Sequence, residues 1–288
     1  MFEYDEFTTR NIGFVTEEEQ ARLRGATVFV CGTGGMGGAC ILGLVRAGVG
    51  KLIIADLDAF EVSNLNRQVF AFLHSIDRHK AKATAEIARQ INPEIEIEVH
   101  EGDWTASVDD HIERAAIVVN GTDDLGASLL LYRRARALGK AVIDAYASPL
   151  PSVYVTAPKD QSHEARLRYP TQSTDWDKIT EDQRSEAFLM ESEWVVIHSS
   201  SRKYIDLEIV GDVVAGKRSR MSFAPMVITT GQLMAYEALN ACLGRPHGTD
   251  NRGYFFNPYA AKVERPRSAL TAAVMRPLVR KFLQSLME

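Results

Sequence analysis

Apolar and polar residues follow two different periods along the first half of the chain. Apolar runs at residues 26–31, 117–120 and 141–145 predict buried strands, and residues 94–100 (EIEIEVH) alternate as a half-buried strand does. Between them, residues 79–92 and 125–138 follow a helical pattern, stopped by Asn92-Pro93 and by Gly139. This alternation predicts an α/β fold with a Rossmann-like, doubly wound, mostly parallel sheet flanked by helices.

The pattern changes in the C-terminal half, where we expect an antiparallel extension of the sheet. Prolines flank the apolar residues of the run at 148–158 (SPLPSVYVTAP). Residues 159–193 are polar with weak periodicity and predict a long, mobile connection, after which order returns with EWVVIH. Residues 226–243 predict a mostly buried helix.

The last segment, residues 269–287, has the pattern of an amphipathic helix that Pro277 should bend or restart. Its predicted apolar face carries five side chains: Leu270, Val274, Leu278, Phe282 and Leu286. We expect this helix to dock on its own fold or on a partner subunit rather than on a membrane.

A glycine-rich turn joins the first strand to the following helix. Gly32, Gly34 and Gly37 have the G-x-G-x-x-G spacing of a nucleotide-binding βαβ unit, with Gly35 inside the same loop. The helix that opens near Met36 directs free N–H groups at an anion. Asp56, at the end of the second strand, can accept hydrogen bonds from both ribose hydroxyls. The alternative is a purely structural glycine turn.

Composition limits the class of protein. The 288 residues are 45% hydrophobic and 25% charged, with a net charge of −5, which argues against a general nucleic-acid coat. The N-terminus lacks the apolar core of a signal peptide, and no run is long enough to span a bilayer. Three cysteines without a C-x-x-C pair, and seven scattered histidines, predict a reduced cytoplasmic protein with no zinc site.

The loop after Asp56 distinguishes an ATP-using enzyme from a nicotinamide-dependent dehydrogenase. It contains Asn64, Arg67 and Gln68, and Lys80 begins the next helix. A nicotinamide cofactor needs no such set, whereas a triphosphate develops charge on its leaving pyrophosphate and does need one. For Arg67 or Lys80 alone a solvated surface charge is the better interpretation, but their joint placement favours phosphate binding.

Asp123 and Asp124 follow the strand at 117–120, at the carboxyl edge where open α/β sheets bind ligands. Adjacent carboxylates facing a triphosphate are suitable Mg²⁺ ligands, with Asp123 the first candidate and Asp124 the second. The alternative is that Thr122-Asp123 only caps the following helix.

These motifs together resemble the ThiF/MoeB/HesA family, which is related to ubiquitin-activating enzymes. The resemblance rests on GTGGMG, the pair Asp56 and Asp58, VSNLNRQ, Lys80 and GTDD. It implies adenylation of a carboxylate with ATP and Mg²⁺, often the C-terminus of a ubiquitin-like or sulfur-carrier protein. The roles it implies are ribose binding by Asp56, phosphate binding by Asn64, Arg67, Gln68 and Lys80, and Mg²⁺ binding by Asp123. Arg10, in TTRNIG, matches an arginine that reaches the partner's γ-phosphate, which implies a homodimer.

The resemblance also predicts one adenylation domain over residues 1–288. Its parts are an N-terminal helical arm (1–24), a nucleotide-binding half (25–158), and a crossover segment with the C-terminal half (159–288). The segment 159–222 should lie over the acyl site. The chain departs from the family in three ways: its D-x-T-D-N run reads Asn120-Gly121-Thr122-Asp123-Asp124, the zinc C-x-x-C pairs are missing, and no cysteine lies between Lys51 and Ala241.

We therefore predict an ATP-dependent adenylyltransferase that makes an acyl-AMP without a catalytic thiol. The carboxylate belongs to a protein tail, a peptide or a small acid. The alternatives are activation of a carboxylate on a tRNA base, an NAD(P)-dependent oxidoreductase, and a non-catalytic subunit. Arg265, Arg267, Arg276, Arg280 and Lys281 could help with tRNA or form a solvated face. We interpret His198 and Ser199–Ser201 as a hydroxyl-rich turn rather than as a catalytic nucleophile with its base.

Overall fold

A single eight-stranded sheet organises the chain. The computed structural model describes residues 1–102, 104–214 and 216–286. The strands are β1 (Thr27–Cys31), β2 (Lys51–Ala55), β3 (Glu96–His100), β4 (Ile117–Asn120), β5 (Val142–Asp144), β6 (Ser152–Thr156), β7 (Tyr254–Asn257) and β8 (Lys262–Glu264). Their order is β3-β2-β1-β4-β5-β6-β7-β8. Pairing is parallel from β3 to β5 and antiparallel from β5 to β8, so the predicted fold class is confirmed.

Helices cover the sheet and extend from it. They are α1 (Tyr4–Thr8), α2 (Glu17–Gly25), α3 (Gly35–Arg46), α4 (Lys80–Ile91), α5 (Val108–Arg114), α6 (Leu125–Ala137), α7 (His163–Leu167), α8 (Glu181–His198), α9 (Leu207–Val214), α10 (Ala224–Leu243) and α11 (Ala269–Ser285). No helix in the described part of the chain combines the length and the apolar character needed to cross a membrane.

Two apolar cores lie on opposite faces of the sheet. In β1, Val28 and Val30 face the core that includes side chains of α3, α4 and α10, while Phe29 and Cys31 face the core formed with α5, α6 and α8. Successive residues of a strand point to opposite faces, so a strand buried on both sides reads as a continuous apolar run. This burial fixes the carboxyl ends of β1, β2 and β4 at the same end of the sheet. The candidate site residues lie in the loops that come directly after these three strands.

Residues 159–193, predicted to be a long, mobile connection, are instead built largely of helices. The segment contains α7 and most of α8, and a short 3-10 turn spans Trp176–Lys178. Thr180 and Gln183 form a capping box at the start of α8, a signal that was present in the sequence. The periodicity of α8 is weak because buried residues lie on several of its sides. Trp194 lies in the core shared with α5 and α6, whereas Leu189 lies in a third cluster that α8 forms with α11.

The apolar face predicted for the last segment is also wrong in part. The helix α11 runs through Pro277 without interruption, and Met287 lies outside the described residues. Ala272, Val279 and Leu283 pack against α8, and Phe282 and Leu286 contact the same cluster. The remaining members of the predicted face are exposed: Leu270, Val274 and Leu278.

Candidate nucleotide-binding site

The glycine loop packs too closely for side chains at two of its positions. A Cβ atom at Gly37 would lie 1.9 Å from the carbonyl oxygen of Gly32, and one at Gly32 would lie 2.4 Å from the backbone of Gly121. Gly32 also has φ +90°, which L side chains rarely adopt. Gly34 is the N-cap of α3, whose first N–H groups have no partner within the helix. The loop therefore presents bare backbone and a helix N-terminus at the carboxyl edge of the sheet.

Asp56 is oriented by the glycine loop itself. Its Oδ2 accepts hydrogen bonds from the Thr33 backbone N–H at 2.7 Å and from the Thr33 hydroxyl at 3.0 Å, and its Oδ1 accepts from the Asp58 N–H. Asp58 in turn pairs with Lys80, whose Nζ lies 2.8 Å from Oδ2. The carboxylate that follows β2 is thus tied to the turn that follows β1. Thr33 was not among the predicted residues, although its place between Gly32 and Gly34 gave the signal.

The segment after Asp58 lies against the same loop. The side chain of Gln68 comes within 3.6 Å of the place a Cβ of Gly34 would take, and its Oε1 is buried without a partner in the described chain. Asn64 is buried and accepts the Glu61 N–H, which shapes the turn. Arg67 Nη1 donates to the Ser63 carbonyl and to Asn66 Oδ1. Among the described residues Arg67 has no acidic partner, so its charge is available.

The loop that follows β4 contains the two candidate metal ligands, Asp123 and Asp124. The turn at Gly121 lies against Gly32 and Gly37, as the close approaches above require. Asp123 is exposed and makes no hydrogen bond or ion pair with another described residue. Asp124 differs, because its Oδ1 caps α6 by accepting the Ala127 N–H and its Oδ2 accepts from Arg184. The helix cap is therefore Asp124, not the Thr122-Asp123 pair considered above.

Asn120, where the D-x-T-D-N run has an acid, is hydrogen-bonded to an acid of the neighbouring strand. Asn120, the last residue of β4, donates over 2.7 Å to Oδ2 of Asp144, the last residue of β5, and Tyr132 donates to the same oxygen. Burial raises the pKa of Asp144 to about 7, although the Ala145 N–H and Asn120 oppose that shift. Sequence reasoning missed Asp144, whose only signal was its place at the end of a buried strand.

The crossover segment borders the site on two sides. Arg184 of α8 reaches Asp124, and Asn66 Nδ2 donates to the carbonyl of Ser222 at 3.4 Å. A Cβ at Gly126 would lie 2.8 Å from the Trp176 carbonyl oxygen. This segment therefore contacts the loop of Arg67 through Ser222, and the first turn of α6 through Trp176 and Arg184. Their role over an acyl group stays a prediction.

Arg10 is not brought to the glycine loop within one chain. It is exposed in a 3-10 turn that the neighbouring Asn11 fixes to the Ala47 carbonyl, just after the end of α3. The glycine loop precedes the other end of this helix, about 18 Å away for twelve residues. The isolated chain thus leaves Arg10 without a place in its own site.

The cysteines and serines lie where a catalytic role is disfavoured. Burial raises the pKa of the thiols of Cys31, Cys40 and Cys242, which opposes thiolate formation. His198 ends α8, and its Nδ1 accepts the Arg267 N–H rather than facing a serine. The three serines that follow form the predicted turn, in which Ser199 bonds Ser201 and Ser200 bonds Glu264.

Part of the C-terminal basic set is used within the chain. Arg276 pairs with the buried Glu193 and Arg280 pairs with Glu186, both on α8. Arg265 lies over the ring of Tyr254. These three side chains secure α11 and the last strands, which weakens the case for a nucleic-acid face here.

Comparison with known proteins identifies the protein family. A family model described as "ThiF family" matches residues 8–273, well over half of the chain. The chain belongs to the ThiF family. This confirms the resemblance drawn from the glycine loop and VSNLNRQ, and the matched residues include α10 in the C-terminal half.

Two curated relatives of this ThiF-family chain each match less than half of it. The probable adenylyltransferase/sulfurtransferase MoeZ of Mycobacterium tuberculosis is 34% identical over 125 residues, 43% of this chain and 32% of the relative. The sulfur carrier protein ThiS adenylyltransferase of Escherichia coli is 33% identical over 129 residues, 44% of this chain and 51% of the relative. The matches thus span 32% and 51% of the length of these two relatives.

Solved structures share the fold. Escherichia coli MccB superposes with a TM-score of 0.64 at 17% identity, covering 91% of this chain and 71% of that one. Escherichia coli tRNA N6-threonylcarbamoyladenosine dehydratase, TcdA, superposes with a TM-score of 0.58 at 18% identity, covering 83% and 95%. At these identities the likeness supports the architecture and not a substrate.

Proposed function

We propose that this chain is an ATP-dependent adenylyltransferase that activates a substrate carboxylate as an acyl-AMP. The observation that carries the proposal is the meeting of three loops at one edge of the sheet. The glycine turn contacts Gln68 on one side and Gly121 on the other, and Asp56 is hydrogen-bonded to Thr33. Membership of the ThiF family and the adenylyltransferase names of the relatives support the same reaction.

The loop fits a nucleotide phosphate by its bare backbone. Gly32 and Gly37 leave no room for side chains, so a phosphate can approach the N–H groups at the start of α3. Asp56 would hold the ribose hydroxyls. Gln68, whose buried Oε1 has no partner among the described residues, lies beside the loop. Asn64 shapes the turn that carries Arg67. Lys80 and Arg67 would bind the β- and γ-phosphates.

Asp123 would hold Mg²⁺, because its carboxylate has no partner among the described residues. Asp124 is a weaker candidate, since both of its oxygens are used for the helix cap and for Arg184. Mg²⁺ supplies charge neutralisation on the phosphate oxygens when it is bound.

The reaction needs no covalent enzyme group. A carboxylate oxygen of the substrate attacks the α-phosphorus of ATP, the bond from that phosphorus to the bridging oxygen breaks, and pyrophosphate leaves. Lys80 and Arg67 stabilise the charge that grows on the leaving oxygens, and the glycine loop holds the phosphates in line for attack. Because Cys31 and Cys40 are buried and Cys242 is half-buried, the acyl group passes to an amine, a hydroxyl or a partner's sulfur rather than to an enzyme thioester.

The carboxylate donor we propose is the C-terminus of a small carrier protein, a peptide or a small acid. One relative is named for the sulfur carrier protein ThiS, and a structure of Escherichia coli MccB contains AMPCPP and MccA. The enzyme would act as a homodimer in the cytoplasm, with Arg10 supplied by the partner subunit to the γ-phosphate.

ATP–pyrophosphate exchange in the presence of candidate carboxylates tests the reaction directly. Exchange of labelled pyrophosphate into ATP that requires both Mg²⁺ and the carboxylate supports the proposal. A thermal-shift comparison provides the first screen: stabilisation by Mg-ATP and not by NADH is expected. Stabilisation by NADH alone would favour the oxidoreductase, and salt-sensitive tRNA binding would favour the tRNA-base alternative.

A further inference from the structure

Two histidines and a glutamate meet at the free edge of the sheet, outside the nucleotide loops. Glu98 and His100 lie two residues apart on the edge strand β3, so both face α5, and His111 of α5 faces back toward them. His100 Nε2 lies 2.8 Å from Glu98 Oε1, and His111 Nδ1 lies 3.9 Å from the same oxygen. One ligand atom from each residue falls within 4.8 Å of the other two.

The hydrogen bonds prepare His111 to act as a ligand. Arg114 Nη2 lies 3.3 Å from His111 Nδ1, and because arginine can only donate, Nδ1 carries the lone pair and Nε2 the proton. The side chain of His111 is 1% exposed, while Glu98 is 40% exposed, which leaves the cluster an opening to solvent on one side.

A cation already occupies the centre of the cluster. The guanidinium of Arg114 binds both oxygens of Glu98, at 2.7 and 2.9 Å, and also the carboxylate of Asp110 at 2.8 Å. Asp110 lies one helical turn before it on α5 and 3.8 Å from His111 Nδ1. Arg114 can therefore leave Glu98 and keep a salt bridge with Asp110.

We propose that His100 Nε2, His111 Nδ1 and Glu98 form a binding site for a divalent transition metal of the zinc class, in which Arg114 competes with the ion. Ligand atoms around tetrahedral zinc lie about 3.4 Å apart, so the three donors need to move by about an ångström. Water or Asp110 completes the coordination. The site lies next to the ribose carboxylate, since the Asp56 N–H donates to the His100 carbonyl at 3.3 Å.

Cobalt titration of the metal-free, untagged full chain tests the site. We expect visible d–d absorption that saturates near one equivalent of Co²⁺ and is lost when Zn²⁺ is added. His100→Ala and Glu98→Gln each weaken Zn²⁺ binding by about tenfold or more, because each removes a ligand. Arg114→Gln strengthens it, because the competing cation is gone. His74→Ala, an exposed histidine on another loop, binds as the wild type does.

The competition by Arg114 makes the test specific. An affinity that is unchanged in His100→Ala and Glu98→Gln, or that falls in Arg114→Gln, would overturn the site, and so would the absence of Co²⁺ absorption in the wild type. Circular dichroism of each variant before the titration shows that the chain is folded. The readout is metal binding alone, so failure here leaves the adenylation proposal untouched.

Discussion

Arg184 Nη1 donates to Asp124 Oδ2 across 2.8 Å and so joins α8 to the first turn of α6. The same carboxylate caps α6 through its other oxygen. Asp123, one residue earlier, has neither contact. Neighbouring acids with the same charge thus have different surroundings, and a metal ion would compete with Arg184 only at Asp124.

This difference predicts unequal effects of two matched substitutions. Asp123→Asn should lower ATP–pyrophosphate exchange by about 100-fold or more, because a lost Mg²⁺ ligand removes several kcal/mol of charge stabilisation. Asp124→Asn keeps an oxygen for the cap and should lose far less. Exchange rates over a range of Mg²⁺ concentrations measure both. Equal losses in the two variants would contradict the assignment of Asp123 as the principal ligand.

Lys80 is expected to be needed for chemistry and not for folding. It is buried, yet its Nζ pairs with Asp58, whose side chain is 69% exposed, so the ammonium lies at the surface of the site. Lys80→Met should reduce the exchange rate by about 10²–10³-fold, since it removes one stabilising charge from the leaving phosphates. Lys82→Met, two residues along the same helix and exposed, is the matched control and should exchange normally.

If the partner supplies Arg10, two inactive variants should restore each other. Arg10→Ala and Lys80→Met homodimers would both be impaired, but a mixed dimer has one site with intact Lys80 and intact Arg10. After denaturation and refolding of an equimolar mixture, about a quarter of wild-type exchange should return, because half of the dimers are mixed and each has one working site. A mixture no more active than its components would remove Arg10 from the site.

The nucleotide half could be predicted from sequence because its signals are local. A doubly buried strand, three spaced glycines and Asp56 lie within about thirty residues, and their meaning is set by backbone sterics. The pair formed by Asn120 and Asp144 joins two strands, so nothing near either residue indicates the other. The same is true of His100 and His111, whose spacing along the chain resembles no metal motif. The helix α8 was missed because the apolar residues it buries lie on several of its sides rather than on one.

Gly37 is expected to be the least replaceable glycine of the loop. A Cβ there would lie 1.9 Å from the Gly32 carbonyl, which is backbone and cannot move aside. Gly37→Ala should destabilise the fold by about 1–3 kcal/mol and abolish stabilisation by Mg-ATP. Gly25→Ala, with no atom within 4 Å of its Cβ, should be neutral or stabilising by about 0.4–1 kcal/mol. Thermal unfolding with and without Mg-ATP measures both effects. A Gly37→Ala protein that Mg-ATP still stabilises would contradict the proposal that the glycine loop binds the phosphates.

Asp144 should make the chain less stable as the pH rises. Burial raises its pKa to about 7 in the folded protein, whereas an unfolded aspartate titrates near pH 4. Between these values the native state holds a proton that the unfolded state has lost, so the free energy of unfolding falls with increasing pH across that window and is level above it. From pH 5 to pH 8 this contribution amounts to roughly 2–3 kcal/mol at most.

Asp144→Asn should remove that fall, because the amide does not titrate. Its oxygen can still accept from Asn120 and Tyr132, which donate to one oxygen of the native carboxylate. Urea unfolding of both proteins at pH 5, 6, 7 and 8 gives the difference in slope, which cancels the contributions of other groups. Asp5→Asn, at an exposed position in α1, should keep the wild-type slope. Parallel pH profiles for wild type and Asp144→Asn would mean that Asp144 is ionised in the fold, with its charge held by Asn120 and Tyr132.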